Sequence, residues 1–174
     1  NALLKVIEEP NENVFFILIN NNEKYILPTL RSRCLTFKIN FTFNESINVC
    51  NQILGQNILN LINHDLINYY NTPGEIISLM NFSNDNNIDV KNYTLINFLN
   101  LLIDNGYYKK NKIGKILLIN FIELFFLKEY KLNRTNNSLI NFYHYFIKKI
   151  NNTEKFNLDE ESLFLEFKEK LLNG

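Results

Sequence analysis

The chain has 174 residues, 46% of them apolar, with fifteen Phe and nine Tyr, so it can bury one core of ordinary size or two small ones, and global disorder is excluded. Eighteen basic and eighteen acidic side chains cancel to a formal charge of zero, which excludes a nucleic-acid binder acting through an overall basic field; such a contact needs a local patch or other chains. Cys34 and Cys50 are too few for a disulfide framework and stand in no metal-ligand pair, which points to a reducing cytoplasm and no metal.

The opening "NALLKVIEEP" places Ala2, Leu3, Val6 and Ile7 at helical spacing until Pro10 ends the pattern. It reads as a helix already under way, so the chain is expected to be the C-terminal part of something longer. No charged leader precedes an apolar run, and no secretory signal is expected. "VFFILIN" (14–20) is a continuous apolar run bounded by Asn, the pattern of a strand buried on both faces. "NNEKYILPTLRSR" returns to loop and short helical turns around Pro28. In "CLTFKINF" (34–41), Leu35, Phe37, Ile39 and Phe41 alternate with polar residues, which predicts a second strand.

Beyond Phe43 the pattern is helical almost throughout. Asn44 or Ser46 is the expected cap of a helix with Ile47, Val49, Cys50, Ile53 and Leu54 as apolar positions, ending near Gly55. Two short helices follow, near 57–63 and 65–71. "TPGEIISLMNF" (72–82) predicts a helix capped by Thr72 with Pro73 at its first position. The polar stretch 83–92 is where a domain boundary falls. Four longer helices are expected near 92–105, 110–131, 136–151 and 159–173, a helical bundle by pattern. The run "ILLINFIELFF" (116–126) is interrupted by Asn120 and Glu123 and falls short of the roughly 20 residues a membrane span needs, so it reads as a buried helix.

Only three arginines occur, Arg31, Arg33 and Arg134, and two of them flank Ser32 just before Cys34. "NALLKVIEEP…FFILINNNEKYILPTLRSRC" resembles the end of the nucleotide-binding domain of bacterial AAA+ clamp-loader subunits. Within that family, "LPTLRSRC" looks most like the delta-prime branch of the DNA polymerase III loader. The likeness is close over about the first 40 residues and looser over 43–82, the position of the family's small helical lid; beyond that it is helix content alone.

The resemblance implies that Arg33 projects across a subunit interface toward the γ-phosphate of ATP held by a neighbour. A guanidinium is permanently charged, planar and able to contact two phosphate oxygens, and a flexible Lys is a poor substitute. In phosphoryl transfer such a finger is worth ~10³–10⁵ in rate. Ser32 and Cys34 are then flanking positions that fix the loop, and Thr29 a cap for the short helix carrying the arginines. Arg31 reads either as interface support or as part of a solvated basic turn.

Two departures from the ATP-binding members suit a subunit that does not itself bind ATP. Asn20, Asn21 and Asn22 stand where those members sense the nucleotide with Thr or Ser, and Gly74 or Glu75 stands where their lid carries an arginine. No cofactor of its own is therefore expected. Weaker signals have bland readings. Glu8 and Glu9 are neighbours on a helix and do not face each other. His64 and His144 have no partner at catalytic or metal spacing. "FYHYF" (142–146) with Lys148 and Lys149 reads as core or interface before it reads as a base-stacking platform. "DEESLFLEFKEKL" (159–171) is amphipathic, with Leu163, Phe164, Phe167 and Leu171 inward.

The expected fold is mainly α: residues 1–42 as the end of a RecA-like AAA+ domain with short strands, 43–88 as the lid, and 89–174 as a helical collar. The resemblance implies gamma/tau and delta subunits as partners, the sliding clamp and primed DNA as targets of the complex, and no membrane. Two rivals stand beside it: an ATP-hydrolysing gamma/tau-type subunit, marked by an upstream Gly-x-x-x-x-Gly-Lys-Ser/Thr, and a helical scaffold unrelated to ATP.

Overall fold

The computed structural model describes residues 5–7, 11–20, 26–68, 70–132, 137–156 and 158–172, the side chains of Asn137 and Glu154 excepted. The chain forms two compact units, residues 1–40 and 41–174. Mainly α architecture is what the periodicity predicted.

In the first unit residues 5–7 are helical, while the rest of the predicted opening helix, with Glu8 and Glu9, lies outside the described residues. Neither predicted strand forms: 14–20 and 34–41 carry no regular backbone pairing, and no strand occurs among the described residues. The side chains of "VFFILIN" are not buried on either face, with Phe15, Ile17 and Ile19 84–91% exposed and Val14 and Leu18 at 42–46%. A strand exists only within a ladder, and a sequence patterned for one stays irregular when the backbone donors and acceptors beside it are missing. The one described helix longer than three residues in this unit is α1, Pro28–Arg31, with Pro28 supplying a preset φ at its first position.

In the second unit α2 runs Phe43–Leu54. Its cap is Thr42, not Asn44 or Ser46: the Thr42 hydroxyl accepts from the Glu45 N–H at 3.3 Å while the Glu45 carboxylate accepts from the Thr42 N–H at 2.8 Å. That reciprocal pair satisfies two of the donors a helix start leaves open, and Ser46 is consequently free to turn inward and be buried. Gly55, at φ 65°, ends the helix in the left-handed conformation that a side chain resists. The two short helices expected next are single 3₁₀ turns, Ile58–Asn60 and His64–Leu66.

The helix α3, Pro73–Asn86, starts at Thr72 as predicted and runs further, into the polar stretch, to stop at Asn87 with φ 54°. Buried Ser83 donates from its hydroxyl to the Ile88 carbonyl and so holds the returning chain. Then come α4 (Leu95–Asp104), α5 (Tyr107–Lys110), α6 (Lys112–Leu132), α7 (Asn137–Phe156) and α8 (Glu160–Phe167). After α8, Lys168–Leu172 widens into a π turn.

One apolar core runs through this unit from Ile47 to Phe167, with Cys50, Ile58, Phe98, Leu99, Leu102, Leu118, Ile122, Phe146 and Phe167 fully buried. Phe126 of α6 lies at an aromatic junction, with ring centroids 5.1 Å from Tyr143, 6.3 Å from Phe146 and 5.9 Å from Phe167. Three consecutive helices are tied at one point by rings that each bury roughly 150–250 Å². Glycine at 114 decides how α5 meets α6: a Cβ there lies 2.4 Å from the Tyr107 carbonyl oxygen.

Candidate functional site

The loop 27–34 is built on the α1 turn. The N–H groups of Leu30 and Arg31 donate to the Leu27 carbonyl at 2.9 and 3.0 Å, and the Ser32 N–H donates to Pro28 at 3.0 Å. Arg33 and Cys34 follow in the same wind, their N–H groups reaching Leu30 at 3.1 Å and Arg31 at 3.4 Å. Thr29 is not the cap. Leu27 occupies that position with no side-chain bond, because Pro28 already removes the first open donor.

Thr29 serves through its main chain instead. Its carbonyl accepts from the Ser32 hydroxyl at 3.0 Å and from Arg33 Nη1 at 2.7 Å. The Arg33 guanidinium therefore closes over the end of its own helical turn, where unsatisfied carbonyls favour a cation. Thr29, Arg31, Ser32 and Arg33 are all exposed, and Cys34 is half-buried. The structure brings these five residues into one turn with Arg33 on its surface. Of the three asparagines expected to replace a nucleotide sensor, Asn20 is described and exposed; Asn21 and Asn22 lie outside the described residues.

At the lid position, Gly74 faces open space. Glu75 is engaged locally: its carboxylate accepts from the Thr72 N–H at 2.9 Å and from Asn71 Nδ2 at 3.3 Å, completing a second capping box. A carboxylate so engaged is one fewer group for a triphosphate and a repulsive one besides. Among the described residues no group of three or more His, Cys, Asp or Glu is placed to hold a metal ion, and no helix is long and apolar enough to cross a membrane.

Residues 1–42, the segment that contains this loop, match the family described as "DNA polymerase III, delta subunit". Over 176 aligned residues, 87% of this chain and 48% of the relative, the chain is 34% identical to DNA polymerase III subunit delta' of Buchnera aphidicola subsp. Schizaphis graminum. A second delta', from Buchnera aphidicola subsp. Baizongia pistaciae, is 57% identical over 35 residues, 20% of this chain and 10% of the relative. DNA polymerase III subunit gamma of subsp. Schizaphis graminum is 49% identical over 47 residues, 27% of this chain and 13% of the relative. Over these stretches the chain is similar to delta' and gamma subunits of DNA polymerase III. It spans about half the length, or less, of these relatives. No solved structure matches it.

The loop 27–34 lies within the segment matched to that family. Sequence reasoning missed a second polar centre. The Asp65 carboxylate accepts from the Leu95 N–H at the start of α4 at 2.7 Å and pairs through its other oxygen with the Lys128 ammonium. Lys128 Nζ also donates to the Asp65 carbonyl at 2.6 Å. Burial pushes the Asp65 carboxyl up, but the Leu95 donor and the Lys128 hydrogen bond and charge outweigh it and hold it below its ordinary value. No local spacing announces an Asp and a Lys 63 positions apart. Both capping boxes carry a local signal, Thr-x-x-Glu in "TFNE" and "TPGE", although the expected cap of the first helix was Asn44 or Ser46 and not Thr42.

Proposed function

We propose that this chain is part of a clamp-loader subunit, a non-hydrolysing one of delta-prime type, which supplies Arg33 in trans to an ATP site held by a neighbouring gamma/tau subunit. Within it, residues 1–42 are the end of an AAA+ nucleotide-binding-like domain, 43–88 a lid and 89–174 a collar. Its partners are the gamma/tau and delta subunits, and through them the sliding clamp and primed DNA, in the cytoplasm. The observation that carries this is an exposed Arg33, presented on a closed helical turn inside the segment that matches the polymerase III delta family. A guanidinium in that position adds fixed positive charge where negative charge develops on a transferred phosphoryl group. The capping duty of Glu75, at the place where ATP-binding members hold a lid arginine, supports the non-hydrolysing half of the proposal.

A second reading has its own observation. The 2.7 Å bond from Arg33 Nη1 to the Thr29 carbonyl is what a residue capping its own turn makes. The two differ in what they predict for loading. The protein, combined with gamma- and delta-type subunits, is assayed for placing the clamp on primed DNA. Loading that depends on this subunit, and fails with Arg33→Ala in an intact complex, supports the finger; undiminished loading with Arg33→Ala leaves the structural turn.

A further inference from the structure

Asn105 and Gly106 make the corner between α4 and α5, and the Asn105 side chain is exposed. The chain has two Asn-Gly pairs, this one and Asn173-Gly174, the second outside the described residues. An asparagine before glycine is open to one spontaneous reaction, because glycine has no side chain to shield its main-chain nitrogen. That nitrogen attacks the asparagine Cγ: the N–Cγ bond forms, the Cγ–Nδ2 bond breaks, and ammonia departs with the proton the nitrogen gives up. Water then opens the cyclic imide at one carbonyl or the other and leaves aspartate or isoaspartate.

The folded corner holds each reacting group in another use. The Gly106 N–H donates to the Ile103 carbonyl at 3.0 Å, so the nucleophile is engaged and harder to deprotonate. Asn105 Nδ2 donates to the Leu101 carbonyl at 3.0 Å, which holds the amide against the end of α4. Ring closure also needs the glycine nitrogen nearly coplanar with the asparagine Cα and Cβ. At the Asn105 ψ of 0° that nitrogen eclipses the main-chain nitrogen of Asn105 instead of its Cβ. Buried Ile103 and Tyr108 pin the two sides of the corner, Tyr108 packing on Phe164 with centroids 4.7 Å apart. The imide therefore forms only after the corner opens. We propose that Asn105 is a deamidation site gated by local opening of the α4–α5 corner, and that its product leaves the corner loosened. A carboxylate at 105 no longer donates to Leu101, and it joins Asp104 at a helix end whose open carbonyls disfavour negative charge. Isoaspartate also adds a carbon to the main chain there. The site is independent of the Arg33 loop and of any ATP site.

The test ages the 174-residue chain in mildly alkaline buffer, native and in increasing urea, and maps aspartate and isoaspartate at each asparagine by mass spectrometry of peptides. In denaturing urea Asn105 is expected to convert ahead of the asparagines that no glycine follows. In the native chain its conversion is expected to be slower by about tenfold or more, because the hydrogen bonds of the corner must open first. That native rate is expected to stay flat in sub-denaturing urea, since a local opening exposes little surface. The isolated product and Asn105→Asp are expected to exchange the Gly106 N–H severalfold faster than the unmodified chain. Asn105→Gln, whose longer side chain does not close the same ring, is expected to leave position 105 unmodified over the same time. Native conversion as fast as in denaturing urea overturns the proposal, as does a native rate that climbs steeply with sub-denaturing urea. Unchanged Gly106 exchange in both the product and Asn105→Asp overturns the loosening of the corner.

Discussion

Replacing Asp65 with Ala removes two interactions at once, and the structure sets the size of each. The first is the acceptor for the Leu95 N–H at the start of α4; the loss of a capping acceptor typically costs about 1 kcal/mol. The second is the pair with Lys128, whose Coulomb attraction at close range amounts to about 4 kcal/mol at an effective dielectric of 20. With the Asp65 side chain 39% exposed and Lys128 31% exposed, water screens most of that, and about 0.2–1 kcal/mol is the appropriate figure. Lys128 also keeps its bond to the main-chain oxygen of residue 65, which limits the damage. The sum is about 1–2 kcal/mol, or a fall in Tm of about 2–8 °C for a chain this size. Lys128→Met should cost only the smaller part. The sign with pH follows from the lowered carboxyl. A depressed pKa stabilises above the unfolded value and is lost as pH falls through the folded one. The gap between wild type and Asp65→Ala should therefore be flat from pH 7 to about 5 and close below about pH 4. Urea denaturation followed by circular dichroism at several pH values checks it. A gap under about 0.3 kcal/mol at pH 7, or one that widens in acid, refutes the reasoning.

Gly114→Ala should destabilise by about 1–3 kcal/mol even though Ala is the better helix former by ~1 kcal/mol, because the new Cβ meets the Tyr107 carbonyl oxygen at 2.4 Å and main chain must move; a Tm at or above wild type contradicts this. Thr72→Ala should cost about 1 kcal/mol in urea denaturation by opening the α3 capping box, and an unchanged midpoint contradicts it. Cys34, half-buried, should react with a thiol reagent in the native protein, while Cys50, fully buried, its thiol raised by burial, should react only on unfolding; mass spectrometry of partly modified native protein that finds Cys50 labelled first contradicts this.

The helices were legible because each carries an apolar stripe that the core of its own unit buries. Ile47 and Cys50, Ile76 and Leu79, and Leu163, Phe164 and Phe167 all lie inward as their spacing required. Ends were less legible. Thr42 and Asn87, not the residues expected, stop or start their helices, because a capping decision turns on one hydrogen bond or one positive φ. The strands misread for a different reason. Apolar alternation in 34–41 states which residues want burial, but a strand also needs a neighbour to bond, which lies beyond local pattern. The arginine loop stood out through its rarity of residue type, yet nothing in "LPTLRSRC" reveals that Arg33 bonds back to Thr29. Glu123 was read only as an interruption of an apolar run, since the cleft it lines between α6 and α7 exists only once those helices pack.

The role of Arg33 is tested most directly by the DNA-stimulated ATPase of the loader reconstituted with this subunit as wild type, Arg33→Ala and Arg33→Lys, with assembly verified by gel filtration. The account predicts turnover lower by about tenfold or more for Arg33→Ala and little rescue by Arg33→Lys, since a point charge on a flexible stem does not reproduce a planar donor pair. Unchanged turnover in an intact Arg33→Ala complex contradicts it and leaves Arg33 as the cap of its own turn.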